Sequence, residues 1–458
     1  MKSKTGLIAL GLGALIAFPA QAQEELRQKV DDLEQQLRVL KRQLELDKEA
    51  STEKNKTTPV VSIGTSGLSI RSADTNFVMK IRGYIQADAR FYPDDAAAAA
   101  PNDTFLLRRV RPIIEGTVWD KFDYRLMLDF GSNLSLSSAN DPFVQDAYFN
   151  WRLFPELQIQ GGKFKEPVSL ERLQSGSNLL FVERAYTSQL APNRDVGFML
   201  QGDLFDARLS YAVGAFNGTA DGGSSDFEAA DDEKDIAARI FANPFKDSKI
   251  DALRGLGFGV AGTFGNQEGP LRGYVSAGQQ TMFSWNPASV GTNTVSVVAD
   301  GEHWRIAPQA YYYYGPFGIF GEYVISNQKV RKNNPTQFGR FQNTAWTVSA
   351  SYFLTGEENS FRGVTPKRPF SLSNGGWGAV EIAARVQGID IDDAIFPLYA
   401  NPATSATKAT TWGVGVNWYL NKNFKLNLDY ENTEFEGGTS PLLARGEQVI
   451  LTRAQVSF

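Results

Sequence analysis

The chain of 458 residues has no cysteine, so disulfide staples and thiolate chemistry are excluded. Its single histidine, His303, stands between Glu302 and Trp304. A Ser-His catalytic arrangement would have to be built wholly around that one residue, and an exposed or girdle-packed histidine is expected instead. Beyond the N-terminus, no run is apolar enough to cross a bilayer as a helix. If the chain enters a membrane it must do so as a closed sheet, because only helices and barrels satisfy their backbone groups in lipid. Carboxylates crowd Asp221 to Asp235. That segment lacks the spacing of a calcium loop and reads as a solvated loop, so no metal and no cofactor is expected. The net charge of -5 bears on solubility and leaves room for a basic interior.

What is present begins with a secretory pattern. Lys2 and Lys4 precede the apolar run Gly6 to Phe18, and Ala20-Gln21-Ala22 follows as a small-residue cleavage site. Residues 1–22 are therefore expected to be a signal peptide, with Gln23 as the mature N-terminus. The apolar run is shorter than the roughly 20 residues of a spanning anchor. Residues 23–50 then carry Leu26, Val30, Leu33, Leu37, Leu40 and Leu44 in alternating steps of four and three. This is the a/d seam of a coiled coil, expected in the periplasm, and a seam so narrow implies self-association. A lone amphipathic helix is the alternative. Residues 51–59 are expected to be a polar linker.

From Val60 the apolar period changes from helical to two. In Val78 to Tyr92, Met79, Ile81, Ile85 and Phe91 alternate with Lys80, Arg82, Gln86, Asp88 and Arg90. Side chains change face at every residue of a strand, so one face suits lipid and the other water. The segment Ile450 to Phe458 alternates in the same way. Its final aromatic residue resembles the terminal signature of bacterial outer-membrane β-barrels. Tight connections at Asp120-Lys121, Phe154-Pro155-Glu156 and Asn421-Lys422-Asn423 alternate with long polar ones, as expected for two unlike rims. The fold class expected for residues 60–458 is an all-β transmembrane antiparallel barrel of about 16 strands, preceded by the short coiled-coil helix. A lumen of that size holds an aqueous channel. Tyr311 to Tyr314 suits an interfacial aromatic girdle.

The connection 166–195 is longer than ordinary loops and contains Leu179-Leu180-Phe181-Val182. An inward fold that constricts the pore is expected, with packing at a subunit contact as the alternative. Basic residues gather on the inner faces. Arg82 and Arg90 lie on the first strand, Arg109 and Arg111 on the second, Arg125 on the third and Arg152 on the fourth, while Lys163 and Lys165 lead to Arg172, Arg184 and Arg194. Guanidinium forks bind oxyanions bidentately, so a row of them would draw small anions inward. Alternatively these cations pair with Asp88, Glu115, Asp129 and Asp146 and stiffen the wall.

Arg82-Gly-Tyr-Ile-Gln-Ala-Asp88, Leu107-Arg-Arg109, Glu115-Gly-Thr117, Asp146-Ala-Tyr148, Leu170-Glu-Arg172, Phe181-Val-Glu-Arg184 and Gly415-Val-Asn-Trp-Tyr419 occur in an order that resembles the phosphate-selective porin O and P family. The resemblance implies a trimeric 16-stranded outer-membrane channel with an arginine ladder and a basic constriction. Arg108 and Arg109 match a ladder pair, Arg172 and Arg184 match basic positions of the constricting loop, and Asp146 matches an acidic position near the central site. Tyr84 stands where the family has an arginine, Asp123 where it has a lysine, and only Arg272 appears where its ladder is denser. These departures imply weaker trapping of multiply charged anions. The expected partners are small, phosphate-like anions, outer-membrane lipid and further copies of the chain, with nucleic acid not among them. The function implied is passive anion diffusion. A general-diffusion porin, a barrel enzyme depending on His303 and an envelope tether acting through residues 23–50 remain as other readings.

Overall fold

The computed structural model describes residues 20–93, 101–131, 144–225, 232–286, 296–333 and 336–458. The signal segment before Ala20 and parts of the expected polar connections lie outside them. Helix α1 (Ala20–Thr57) carries the seam, and Val30, Leu33, Leu37, Leu40 and Leu44 are all exposed. It continues through Thr57, so the stretch expected as a linker is helical to within two residues of the next element. Nothing from Ser51 to Thr57 is glycine or proline, and Glu53, Lys54 and Lys56 suit a helix.

A hairpin, β1 (Val60–Gly64) and β2 (Gly67–Arg71), precedes the barrel. The barrel strands are β3 (Val78–Phe91), β4 (Thr104–Val118), β5 (Phe122–Leu128), β6 (Val144–Phe154), β7 (Leu157–Lys165), β8 (Arg194–Leu204), β9 (Leu209–Phe216), β10 (Asp235–Ala242) and β11 (Leu256–Pro270). A small loop hairpin, β12 (Tyr274–Val275) and β13 (Thr281–Phe283), intervenes. The wall resumes with β14 (Val297–Tyr314), β15 (Phe317–Lys332), β16 (Gln337–Phe353), β17 (Ala379–Asp390), β18 (Lys408–Tyr419), β19 (Phe424–Glu436) and β20 (Glu447–Ser457). All wall pairings are antiparallel, and β20 closes on β3 with Ser457 opposite Tyr84 and Arg453 opposite Asp88. Sixteen strands thus form the closed barrel. The last strand turns Arg453 and Gln455 inward and Val456 outward, as its alternation requires. At the seam Arg453 grips Asp88 with two hydrogen bonds of 2.8 and 2.6 Å.

The two rims are less regular than expected. The rim with the tight turns Gly315-Pro316 and 420–423 also bears the long segment 354–378, while the opposite rim joins β15 to β16 directly through 333–336. Nor does the tyrosine run form a girdle as a block. Tyr311 bonds Asn243 and stacks on Phe361 inside the barrel, and Tyr314 is exposed. Successive residues of a strand cannot share a face.

The segment after β7 folds inward and carries two short helices, α2 (Leu170–Leu173) and α3 (Thr187–Leu190). Around it lies the main apolar cluster, in which Met282 and Phe283 meet Phe341, Ile389, Ile395 and Tyr399. This core sits within the barrel against β14 to β18. Tyr274 stacks on Phe283 at 5.3 Å, Phe341 meets Tyr399 at 4.8 Å, and Asn343 donates to the Tyr274 hydroxyl at 2.9 Å.

Candidate functional site: a basic path beneath an inward loop

The lumenal wall gains its densest charge from a break in alternation. On β4, Arg109 pairs with Gln86 while Leu107 pairs with Ala87, leaving Arg108 as the extra residue of a β-bulge. A bulge lets two consecutive residues turn to one side. Arg108 reaches Glu183 and Arg109 reaches Gln86, both inside the barrel. The same device recurs between β5 and β6, where Met127 pairs with Asp146 and Leu128 with Val144. Gln145 and Asp146 are consequently both buried.

The inward loop crosses the lumen and is tied to the far wall. Glu322 on β15 accepts from the Ser169 hydroxyl at 2.8 Å and the Leu170 amide at 2.5 Å. Gln387 accepts from the Tyr186 amide, and Asp429 from the Val182 amide. Lys425 donates to the Leu179 carbonyl, Gln455 to Ser177 and Gln86 to Gly176. Gly176 is required at this last contact, because a Cβ there would meet the Tyr84 hydroxyl at 2.8 Å. The apolar run that pointed inward is buried, with Phe181 lying under the Arg385 guanidinium at 4.3 Å.

Two cavities flank the loop. The inner one, about 730 Å³, is lined by Arg82, Arg125, Asp146 and Lys165 and by the turn residues Lys422 and Asn423. The outer one, about 440 Å³, is lined by Arg90, Arg108, Arg109, Arg172, Arg184 and Arg272. Arg111 and Arg194 line both. They therefore mark the level at which the two cavities meet.

Most wall arginines in this path are ion-paired. Arg82 and Arg125 share Glu115, Arg125 and Arg194 share Asp146, and Arg111 holds Asp129 at 2.7 Å while donating to Tyr84 at 2.9 Å. Arg108 and Arg90 converge on Glu183. Arg109, Arg172 and Arg184 are different, because among the described residues none has a carboxylate within ion-pairing distance. Arg109 donates to Gln86 at 2.8 Å, Arg172 to the carbonyls of Ser188 and Gly222, and Arg184 to those of Glu171 and Gln174. Burial, with Arg184 and Arg194 nearby, lowers the Arg172 pKa well below its ordinary value. Burial and Arg194 bring Arg184 down to about 10 against the opposing pull of Glu171. Cations crowded in this way gain stability from an incoming negative charge.

Of the residues singled out from the sequence, Arg82, Arg108, Arg109, Arg111, Arg125, Asp146, Arg172 and Arg184 all face one or both cavities. Lys163 does not. It is 2% exposed and its ammonium donates to the Ser225 carbonyl, because the loop after β9 covers the end of β7. Arg152 sits on the rim, paired with Asp123 at 3.0 Å. His303 is buried rather than exposed, bonded to Gln267 at 2.7 Å and Ser326 at 2.9 Å. The Ser326 hydroxyl donates to Asp221, and Asp221 approaches the same ring nitrogen as Ser326 does. A Ser-His-Asp relay needs its acid on the opposite nitrogen. Glu183 and Gln145 were not foreseen as site residues. Glu183 was signalled only as the carboxylate next to Arg184, and Gln145 faces the outer cavity through a bulge that alternation does not encode.

The profile of the family described as phosphate-selective porin O and P matches residues 79–458. Porin O of Pseudomonas aeruginosa is 24% identical over 394 residues, spanning 80% of this chain and 84% of that protein. Among solved structures, the outer-membrane channel DcaP of Acinetobacter baumannii superposes with a TM-score of 0.53 at 11% identity, covering 87% of this chain and 99% of that one. The anion-selective porin of Comamonas acidovorans gives 0.51 at 11% identity, covering 83% and 100%. These two likenesses bear on the fold. With a profile match across nearly the whole barrel, the chain belongs to the phosphate-selective porin O and P family of outer-membrane channels.

Proposed function

We propose that this porin conducts small anions along the β3–β6 wall, with Arg109, Arg172 and Arg184 supplying the attraction. The observation that carries the reading is that, among the described residues, none of the three has a carboxylate partner where the loop crosses the lumen. Fixed positive charge in a narrow aqueous path concentrates anions and excludes cations. The description of its family as phosphate-selective supports phosphate or polyphosphate as the preferred cargo. A second reading, general diffusion with a mild anion preference, draws support from the pairing of Arg82, Arg90, Arg108, Arg111 and Arg125 with carboxylates. Competition of phosphate against chloride in single-channel recordings separates the two readings.

The charge-reversed double variant Arg109→Glu/Arg184→Glu should abolish or reverse the anion preference measured from reversal potentials across a KCl gradient. An unchanged preference would refute the lumenal-arginine mechanism. Self-association through the exposed α1 seam, with three copies as the proposed number and the helix in the periplasm, is part of the same reading. Sedimentation of the full chain against a variant lacking residues 24–50 tests it.

A further inference from the structure

Among the described residues two carboxylates line the outer cavity, Glu183 and Asp221, and they are engaged differently. Asp221 is held by Arg305 at 2.8 Å and by His303, neither of which lines that cavity. Glu183 instead spends its charge on arginines of the cavity itself. Arg108 binds it with Nε at 2.7 Å and Nη2 at 3.2 Å, and Arg90 adds a third contact at 3.2 Å. Two guanidinium groups around one set of oxygens is the arrangement by which a protein holds a free oxyanion. Here the anion is a side chain. Its backbone is fixed as well, since Arg385 donates to the Glu183 carbonyl at 2.9 Å and itself grips Glu431. The neighbouring Val182 amide is tied to Asp429 at 2.6 Å.

We propose that Glu183 is a resident counter-ion that occupies the strongest potential anion site of the outer cavity and so keeps passing anions from being trapped there. The proposal rests on the anion-channel reading and adds to it the residue that limits dwell time. Conduction needs binding strong enough for entry and weak enough for release. Without the Glu183 charge, Arg90 and Arg108 would join Arg109, Arg172 and Arg184 as cations lacking a carboxylate, all facing one cavity. A multiply charged anion would then find the Arg90 and Arg108 forks open, both of which Glu183 now occupies. Burial alone would raise the Glu183 pKa, but Arg108 and its hydrogen bonds hold the carboxyl well below the usual range. The counter-ion is consequently charged at any physiological pH.

The test is phosphate inhibition of chloride conductance in planar bilayers, comparing the wild-type porin with Glu183→Gln. One charge-assisted contact commonly changes affinity about tenfold or more, so half-inhibition should occur at a roughly tenfold lower phosphate concentration. The chain has no cysteine, so Glu183→Cys offers a unique thiol. That variant should show the same tightening. A methanethiosulfonate reagent carrying a sulfonate should return it toward wild type, and one carrying a trimethylammonium should tighten it further. Should neither Glu183 variant yield a heat-modifiable folded barrel, Arg108→Gln serves instead. It leaves Glu183 with Arg90 as its remaining arginine partner and should weaken phosphate inhibition. Unchanged half-inhibition in a variant whose channel still prefers anions overturns the proposal. A wild-type channel with no anion preference overturns the underlying reading instead, and the two failures are told apart by reversal potential alone.

Discussion

The two sides of this barrel put the same strand geometry to opposite uses. Along β3 to β6 the inward positions include Arg82, Arg108, Arg109, Arg111 and Arg125, and they face cavities. Along β14 to β18 the inward positions include Val324, Phe341, Ala345 and Ile389, and they face packed protein. The loop hairpin β12–β13, the segment around Ile395 and Tyr399, and the inward loop fill that half with apolar side chains. Sixteen strands alone would enclose a wider aqueous lumen. Packed side chains thus narrow the lumen from one side, while charged side chains line it on the other.

If that division holds, substitutions in the filled half should alter stability and spare selectivity. Phe283→Ala removes a fully buried ring in contact with Tyr274, Trp285 and Phe396. It should destabilise the barrel by about 3–5 kcal/mol in urea unfolding from detergent, with reversal potentials unchanged. A shift in ion preference of the folded variant would show that the two halves are coupled. Glu322→Gln is milder, because it exchanges a charged acceptor for a neutral one at the loop anchor. A loss of about 1.5–3 kcal/mol is expected, again without a change of ion preference. Smallest is His303→Ala, which deletes the links to Gln267 and Ser326 at a cost of about 1–3 kcal/mol. Conductance should be unchanged in that variant, recorded beside its melting curve.

How much of this was legible in sequence depends on the range over which each feature is encoded. The closing strand Ile450 to Phe458, the period-two wall and the inward loop were readable, because alternation and the apolar Leu179 to Val182 act over neighbouring residues. The bulge at Arg108 was not, since simple alternation turns Arg108 toward lipid whenever Arg109 faces the lumen. Only the resemblance to a family with a paired arginine placed it. Partners distant along the chain were equally hidden. Arg108 meets Glu183 from 75 positions away, and no local pattern marks that carboxylate as its counter-ion. Strands β10 and β17 are hard to read from alternation, because several of their positions are alanine or glycine, which weaken the contrast between faces. Lys163 misled for a related reason. Its strand position is lumenal, but a loop remote in sequence roofs it over.

The inward loop also has a mechanical consequence. The loop leaves the wall at β7 and rejoins it at β8, and between them its backbone is fastened to the far arc of wall from β15 through β17, β19 and β20 to β3, so it works as a cross-brace through the middle of a hollow cylinder. A barrel without such a brace can flatten toward an ellipse by changing the angles between neighbouring strands, which leaves its hydrogen-bond ladders paired. Here flattening would stretch several side-chain ties at once. The aperture is held rigid by the same chain segment that narrows it, and open-channel current through a single pore should be correspondingly steady.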